Sequence, residues 1–151
     1  MALAETTTLN GGPDFEVALV AELGALAPLR REVAQRLAAQ DVPSEKVDDI
    51  VLVLCELATN AIRATEPSDA PIRVRVQFGD ATVAVAVENS GPAFDAVETV
   101  ALGHPGTDTE SGRGLGVVRA LSDDVSVHSH AGSCIVRAII TTGSRSNGSP
   151  G

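Results

Sequence analysis

Apolar residues at Leu26, Leu29, Val33 and Leu37 recur every three or four positions, and the spacing returns at Ile50, Leu54, Leu57 and Ala61. Both runs predict amphipathic helices, because residues three and four apart share one helix face. The first covers "LGALAPLRREVAQRLAAQ". The second opens at "DVPSEKVDD", with Ser44 as candidate N-cap and Val47 to Ala64 as its body. From about Pro71 to Glu88 the period shortens to two. "APIRVRVQFGDATVAVAVEN" alternates on either side of Gly79-Asp80 and predicts an antiparallel hairpin. A final hairpin is expected in "VSVHSHAGSCIVRAII", turning at Ala131-Gly132, and "FEVALVAE" at residues 15–22 reads as a first strand. Between the hairpins lies "SGPAFDAVETVALGHPGTDTESGRG", punctuated by glycine and proline, with a short helix expected at 95–102 and a longer one in "LGVVRALSDD".

The order of strand, two helices, two strands, loop, helix and two strands predicts an α+β fold. The expected architecture is a two-layer α/β sandwich, a mixed sheet covered on one face by helices. Residues 1–14 are expected to form a flexible N-terminal extension, 15–141 the folded domain, and the polar residues 142–151 a disordered tail.

A length of 151 residues fits one domain with a real core. The formal charge of −9 disfavours a nucleic-acid partner, which requires cations to neutralise phosphates. No apolar run approaches the ~20 residues of a membrane span, and the N-terminus lacks a signal peptide's pattern, so no membrane association and a cytoplasmic location are expected. Cys55 and Cys134 are far apart, without CxxC spacing, and read as core thiols. Lys46, the only lysine, follows "PSE", which leaves neither a Walker A motif nor a "VAIK" lysine. His128 and His130 share a strand face but have no third ligand, so they read as exposed side chains.

Three segments carry candidate chemistry. On the second helix Asp49, Leu52, Glu56, Asn60 and Arg63 form a polar stripe beside the apolar one, which is either a solvated face or a surface that meets a ligand. "VAVENSGPAF" ends a strand at Glu88 and turns through Asn89-Ser90-Gly91-Pro92, an ordinary turn composition. "SGRGLGVV" brings Gly112, Gly114 and Gly116 into a helix start, which suits either a phosphate site or a hinge.

In this order, "ELATNAIRA" and the two glycine segments resemble the N-box and glycine boxes of the GHKL (Bergerat-fold) ATPase superfamily, within it the bacterial anti-sigma factor and serine-protein kinase family. The likeness runs from about Phe15 to Ile140. It implies ATP and Mg²⁺ as cofactors, with Asn60 holding the metal, an oxygen ligand suited to a hard cation. It implies Glu56 as general base, with Arg63, Asn89, Gly91 and Ser133 at the nucleotide. Gly112, Arg113, Gly114, Leu115 and Gly116 would wrap the phosphates, and residues 95–111 would be a lid. Two positions depart from the family pattern. Asn89 stands where an Asp usually accepts from the adenine amino group, and an amide gives up the roughly twofold strength of a charge-assisted bond. Ala93 replaces a glycine behind Pro92, and together these imply reduced ATP affinity.

The implied activity is that of an anti-sigma regulatory factor. It would phosphorylate a serine of an anti-anti-sigma antagonist, bind a sigma factor in its partner-switching cycle, and form a homodimer. The alternative is a GHKL domain without useful turnover that sequesters a regulatory partner.

Overall fold

The computed structural model describes residues 5–9, 11–65, 71–90, 110–130 and 132–143. Strands β1 (Glu5–Thr8) and β2 (Phe15–Leu19) lead through a 3₁₀ turn at Leu23–Ala25 into helix α1 (Leu26–Ala39). Helix α2 (Ser44–Thr65) follows, then strands β3 (Ile72–Phe78) and β4 (Thr82–Ser90), helix α3 (Glu110–Leu121), and strands β5 (Asp124–His130) and β6 (Ser133–Thr141). The six strands form one sheet in the order β1-β2-β3-β4-β6-β5, with every ladder antiparallel.

The α+β sandwich is present, but the sheet is not mixed as expected. Two helices separate β2 from β3, and an even number of crossings returns the chain antiparallel to its start. Strands β4 and β5 point the same way, since each is antiparallel to β6. Because β6 lies between them, they are never parallel neighbours. Residues 5–8 also depart from expectation. Instead of belonging to a flexible extension they pair with β2, from Glu5↔Ala18 to Thr8↔Phe15.

The alternation in the strands sorts their side chains between the two faces of the sheet. Ile72, Val74 and Val76 of β3 are buried while Arg73 and Arg75 between them are exposed. With Phe15, Val17 and Leu19 of β2 and Val83, Val85 and Val87 of β4, they meet Leu29, Val33 and Leu37 of α1 and Ile50, Val53, Leu54 and Leu57 of α2 in one core. Burying such a side chain contributes about 1.5–3 kcal/mol. On the opposite sheet face Glu16 receives Arg73 at 3.1 Å and Arg75 at 3.0 Å.

Helix α1 carries Pro28 in its first turn, where a missing N–H costs nothing. It ends in a Schellman motif. Asp41 adopts φ 63°, its N–H reaches the Ala38 carbonyl at 2.9 Å, and the Val42 N–H reaches Leu37 at 3.2 Å. Val42 and Leu37 are both buried, which closes the motif with an apolar contact and aims the chain into α2.

Three boundaries that bear on the site differ from the sequence reading. Strand β4 does not stop at Glu88 but continues to Ser90, held by the pairs Asn89↔Cys134 and Ser90↔Ser133. Helix α3 begins at Glu110, so Gly112, Gly114 and Gly116 lie within its first two turns. It ends at Leu121, before the expected "SDD". The short helix expected at 95–102 lies outside the described residues.

Candidate functional site

Helix α2 contacts the sheet on one side and α1 and α3 on others. Its apolar stripe is buried as the spacing requires, with Ile50 0%, Leu54 1%, Leu57 3% and Ala61 7% exposed. The polar stripe is graded rather than solvated throughout. Asp49, Glu56 and Asn60 are half-buried, and Leu52 and Arg63 are exposed.

Glu56 lines an open groove of about 670 Å³ between α1 and α2. Leu26, Ala27 and Ala34 of α1 and Val51, Leu52 and Cys55 of α2 line it, together with Arg30, Arg31 and Asp48. Thr59 donates its hydroxyl to the Cys55 carbonyl at 2.7 Å, which occupies the neighbouring polar group inside the helix. Glu56 is thus one of the residues lining an open, mostly apolar groove. At the other end of α2, Lys46 and Asp49 line a separate hollow of about 420 Å³ beside the end of α3, so the stripe does not form one continuous surface.

One helical turn past Glu56, α2 meets the end of β4. Asn89 is 5% exposed, and its Nδ2 donates to the Ala61 carbonyl at 3.1 Å, tying β4 to α2. Ser133 starts β6 one pair beyond, opposite Ser90, and is half-buried. Asn60, Asn89 and Ser133 are thus carried by neighbouring elements. Gly91 lies outside the described residues.

The Asn60 side chain is only partly used by the fold. Its Nδ2 is buried and has no hydrogen-bond partner among the described residues. A buried donor left unmade costs about 1–3 kcal/mol, so the amide is better accounted for with a ligand present than without one. A carboxamide there fits the expected cation and phosphates. Its Oδ1 is a hard oxygen ligand of the kind Mg²⁺ takes once or twice from a protein, and Nδ2 remains a donor for a phosphate oxygen.

Gly112, Arg113, Gly114 and Leu115 lie in the α3 backbone, and the described structure does not extend to their side chains. Gly116 is exposed, and a Cβ built on it meets nothing within 4 Å. Close packing therefore does not require a glycine there. The first N–H groups of α3, the ones left unpaired in any helix, belong to Glu110 and the residues next to it, including Gly112 and Arg113.

Sequence reading did not reach the Ala61 carbonyl, because a backbone group leaves no mark on residue identity. It also missed the α1 side of the Glu56 groove, where Arg30 and Arg31, between Ala27 and Ala34, read as an ordinary helix surface. Cys134, placed in the core from its apolar segment, is 1% exposed and opposite Asn89.

The profile of the histidine kinase-like ATPase domain matches residues 19–140. In structure the chain is similar to the RsbU and RsbW domains of Rv1364c from Mycobacterium tuberculosis, with 19% identity and a TM-score of 0.65 over 86% of this chain and 32% of that one. It is also similar to the histidine kinase domain of the Erythrobacter litoralis EL346 blue-light activated histidine kinase, with 17% identity and a TM-score of 0.52 over 82% of this chain and 62% of that one. At these identities the two likenesses concern the fold. The chain spans about a third of the first structure and under two thirds of the second. No curated protein matches it in sequence.

Proposed function

Since the chain belongs to the histidine kinase-like ATPase domain family, we propose that it binds ATP with Mg²⁺ and transfers the γ-phosphoryl group to a serine of a regulatory protein. In this reading it is an anti-sigma regulatory factor acting on an anti-anti-sigma antagonist. The observation that carries the reading is the arrangement along α2. Glu56 opens onto a groove, and Asn60, with its unpartnered amide nitrogen, sits one turn further beside Asn89.

Phosphoryl transfer asks a protein mainly to position groups and to neutralise charge. Asn60 would hold Mg²⁺ through Oδ1 and offer Nδ2 to a phosphate oxygen. The ion supplies charge neutralisation at the phosphates when bound. Asn89 and Ser133 would contact the base end, and Gly112 to Gly116, with Arg113, the phosphate end. Arg63, in the last turn of α2, would contribute a cation at the nucleotide. A partner serine entering along the α1/α2 groove would give its proton to the Glu56 carboxylate as its oxygen bonds to phosphorus, and the bond from phosphorus to the ADP oxygen breaks. Leu26, Leu52 and Cys55 keep that approach largely apolar, which strengthens the carboxylate's interaction with the hydroxyl.

The test is single-turnover phosphorylation of a candidate antagonist by wild type and Glu56→Ala, with nucleotide binding measured in parallel. A large loss of transfer with binding retained is expected. An unchanged rate would remove Glu56 from the chemistry. Partner binding by the wild type with no transfer at all would favour the sequestering module over the kinase.

A further inference from the structure

We propose that β5 is a docking edge for a second copy of this chain, the two β5 strands pairing antiparallel about Ser126 and joining the sheets of both copies into one. The sequence resemblance implies only that copies associate. The surface and the register come from the fold, and neither depends on nucleotide binding.

A sheet edge presents a row of backbone N–H and C=O groups without strand partners, and folds commonly blunt it with a short strand, a lysine or a proline. The sheet has two edges, β1 and β5. Strand β1 is four residues long, whereas β5 runs for seven and its "DVSVHSH" holds no lysine, proline or glycine. Among the described residues β5 pairs with β6 alone. Its Val125 and Val127, opposite Ala138 and Val136 of β6, lie on the helix-covered face and are only half-buried. An added strand would supply main-chain hydrogen bonds along the edge and cover these two valines.

The strand is its own complement. A twofold axis normal to the sheet pairs two identical strands antiparallel and keeps the helices of both copies on one side. With the axis through Ser126, Asp124 lies opposite His128 of the second copy and Val125 opposite Val127, each pair occurring twice, while Ser126 meets itself. Acid faces base, valine faces valine and hydroxyl faces hydroxyl. Asp124 and His128 are both exposed and share the open face of the sheet, so they are free to meet across the axis. Moving the axis to Val125 would set Asp123 against Val127, and moving it to Val127 would set Val125 against Ser129. Matched cross-strand pairs stabilise a ladder and like charges directly opposite destabilise it, which selects Ser126 as the centre and a second copy as the occupant.

The experiment is sedimentation velocity over a concentration series of the wild type, His128→Asp, and the double variant Asp124→His with His128→Asp. The wild type is expected to pass from monomer to dimer as concentration rises. His128→Asp opposes two carboxylates in both pairs and should weaken the dimer at least about tenfold. The double variant exchanges the ends of each pair and should restore it. Cysteine substitutions test the register, since Cys55 and Cys134 are buried. Ser126→Cys places a thiol on the axis and should link two copies through a short bifunctional thiol reagent. Asp124→Cys should not, because its counterpart lies four residues along the strand, roughly 13 Å away. A wild type that stays monomeric at every concentration at which it is soluble would overturn the proposal, and that measurement needs no variant. A dimer that His128→Asp leaves intact and Ser126→Cys does not link would also overturn it, because the contact would lie elsewhere. Linkage at Asp124→Cys but not at Ser126→Cys would overturn the register.

Discussion

Two asparagines lie where α2 passes the end of β4, and the fold treats them oppositely. Asn89 is buried with its nitrogen bonded to a helix carbonyl, whereas Asn60, one residue before that carbonyl, keeps a buried nitrogen without a partner among the described residues. The first amide is used by the fold and costs little. The second costs about 1–3 kcal/mol unless something outside the described fold satisfies it. Residue type alone does not separate a structural amide from a ligand-binding one, but the hydrogen-bond account does.

The largest expected effect lies on the Asn60 side, one turn back along the same stripe. Glu56→Ala should lose about 10²–10⁴ in phosphoryl transfer, the range for removal of a general base, with little change in nucleotide affinity. A variant that also fails to bind ATP would assign Glu56 to structure instead.

Next in size is the contrast between the two amides in the unliganded protein. Asn89→Leu should destabilise by about 1–3 kcal/mol, because it removes the buried bond by which Nδ2 ties β4 to the Ala61 carbonyl of α2. Asn60→Leu should leave stability unchanged or raise it, because it removes an unmade donor. Denaturant titrations of both variants against the wild type measure the difference. Equal losses would erase the distinction between the two amides.

Gly116→Ala should have a smaller effect of the opposite sign. The site is open, with nothing for a methyl group to meet, and alanine in a helix is better than glycine by about 0.5–1 kcal/mol. A stabilised variant with weaker nucleotide binding would show that the glycine serves the phosphates and not the helix.

The smallest effect is expected far from both asparagines, in acid. Burial alone would push the Glu16 carboxyl up, but hydrogen bonds and charge from Arg75 and Arg73 outweigh it and hold it below its ordinary range. Hydrogen bonds from Thr141 hold the Asp123 carboxyl low as well, its backbone N–H at 2.6 Å. Groups whose folded pKa is depressed stabilise the protein above their unfolded value, about 4, and lose that contribution as pH falls through the folded one. Stability should therefore decline from about pH 4 downward, and Glu16→Gln should flatten part of that limb. Neither asparagine titrates, so an Asn60→Leu protein should keep the wild-type acid limb.

Much of this was legible in the sequence where one side-chain pattern answers to one surface. The spacing of Ile50, Leu54, Leu57 and Ala61 placed α2 on the core, and the alternation from Ile72 to Val87 placed the central hairpin. Strand β1 was not legible because "ETTT" lacks an apolar alternation, and its place depends on hydrogen bonds that β2 offers at the sheet edge. The start of α3 was hidden for a different reason. Three glycines argue for a loop by propensity, yet the helix packs on α2 and buries Val118 completely, and that packing outweighs the local preference. At the site, Glu56 and Asn60 stood out as polar residues on a largely buried helix. The partner of Asn89 did not, and an amide in place of an aspartate read only as a loss. The bond from Asn89 Nδ2 to the Ala61 carbonyl gives the amide a place in the fold.

The most direct measurement is calorimetry of ATP binding to the wild type and to Asn60→Ala, each with and without Mg²⁺. Wild-type affinity that rises with Mg²⁺, together with a variant that has lost most of this dependence, is the result expected if the unpartnered amide on α2 serves a metal-bound nucleotide. No binding by the wild type at millimolar ATP, or equal Mg²⁺ dependence in the two proteins, would contradict it.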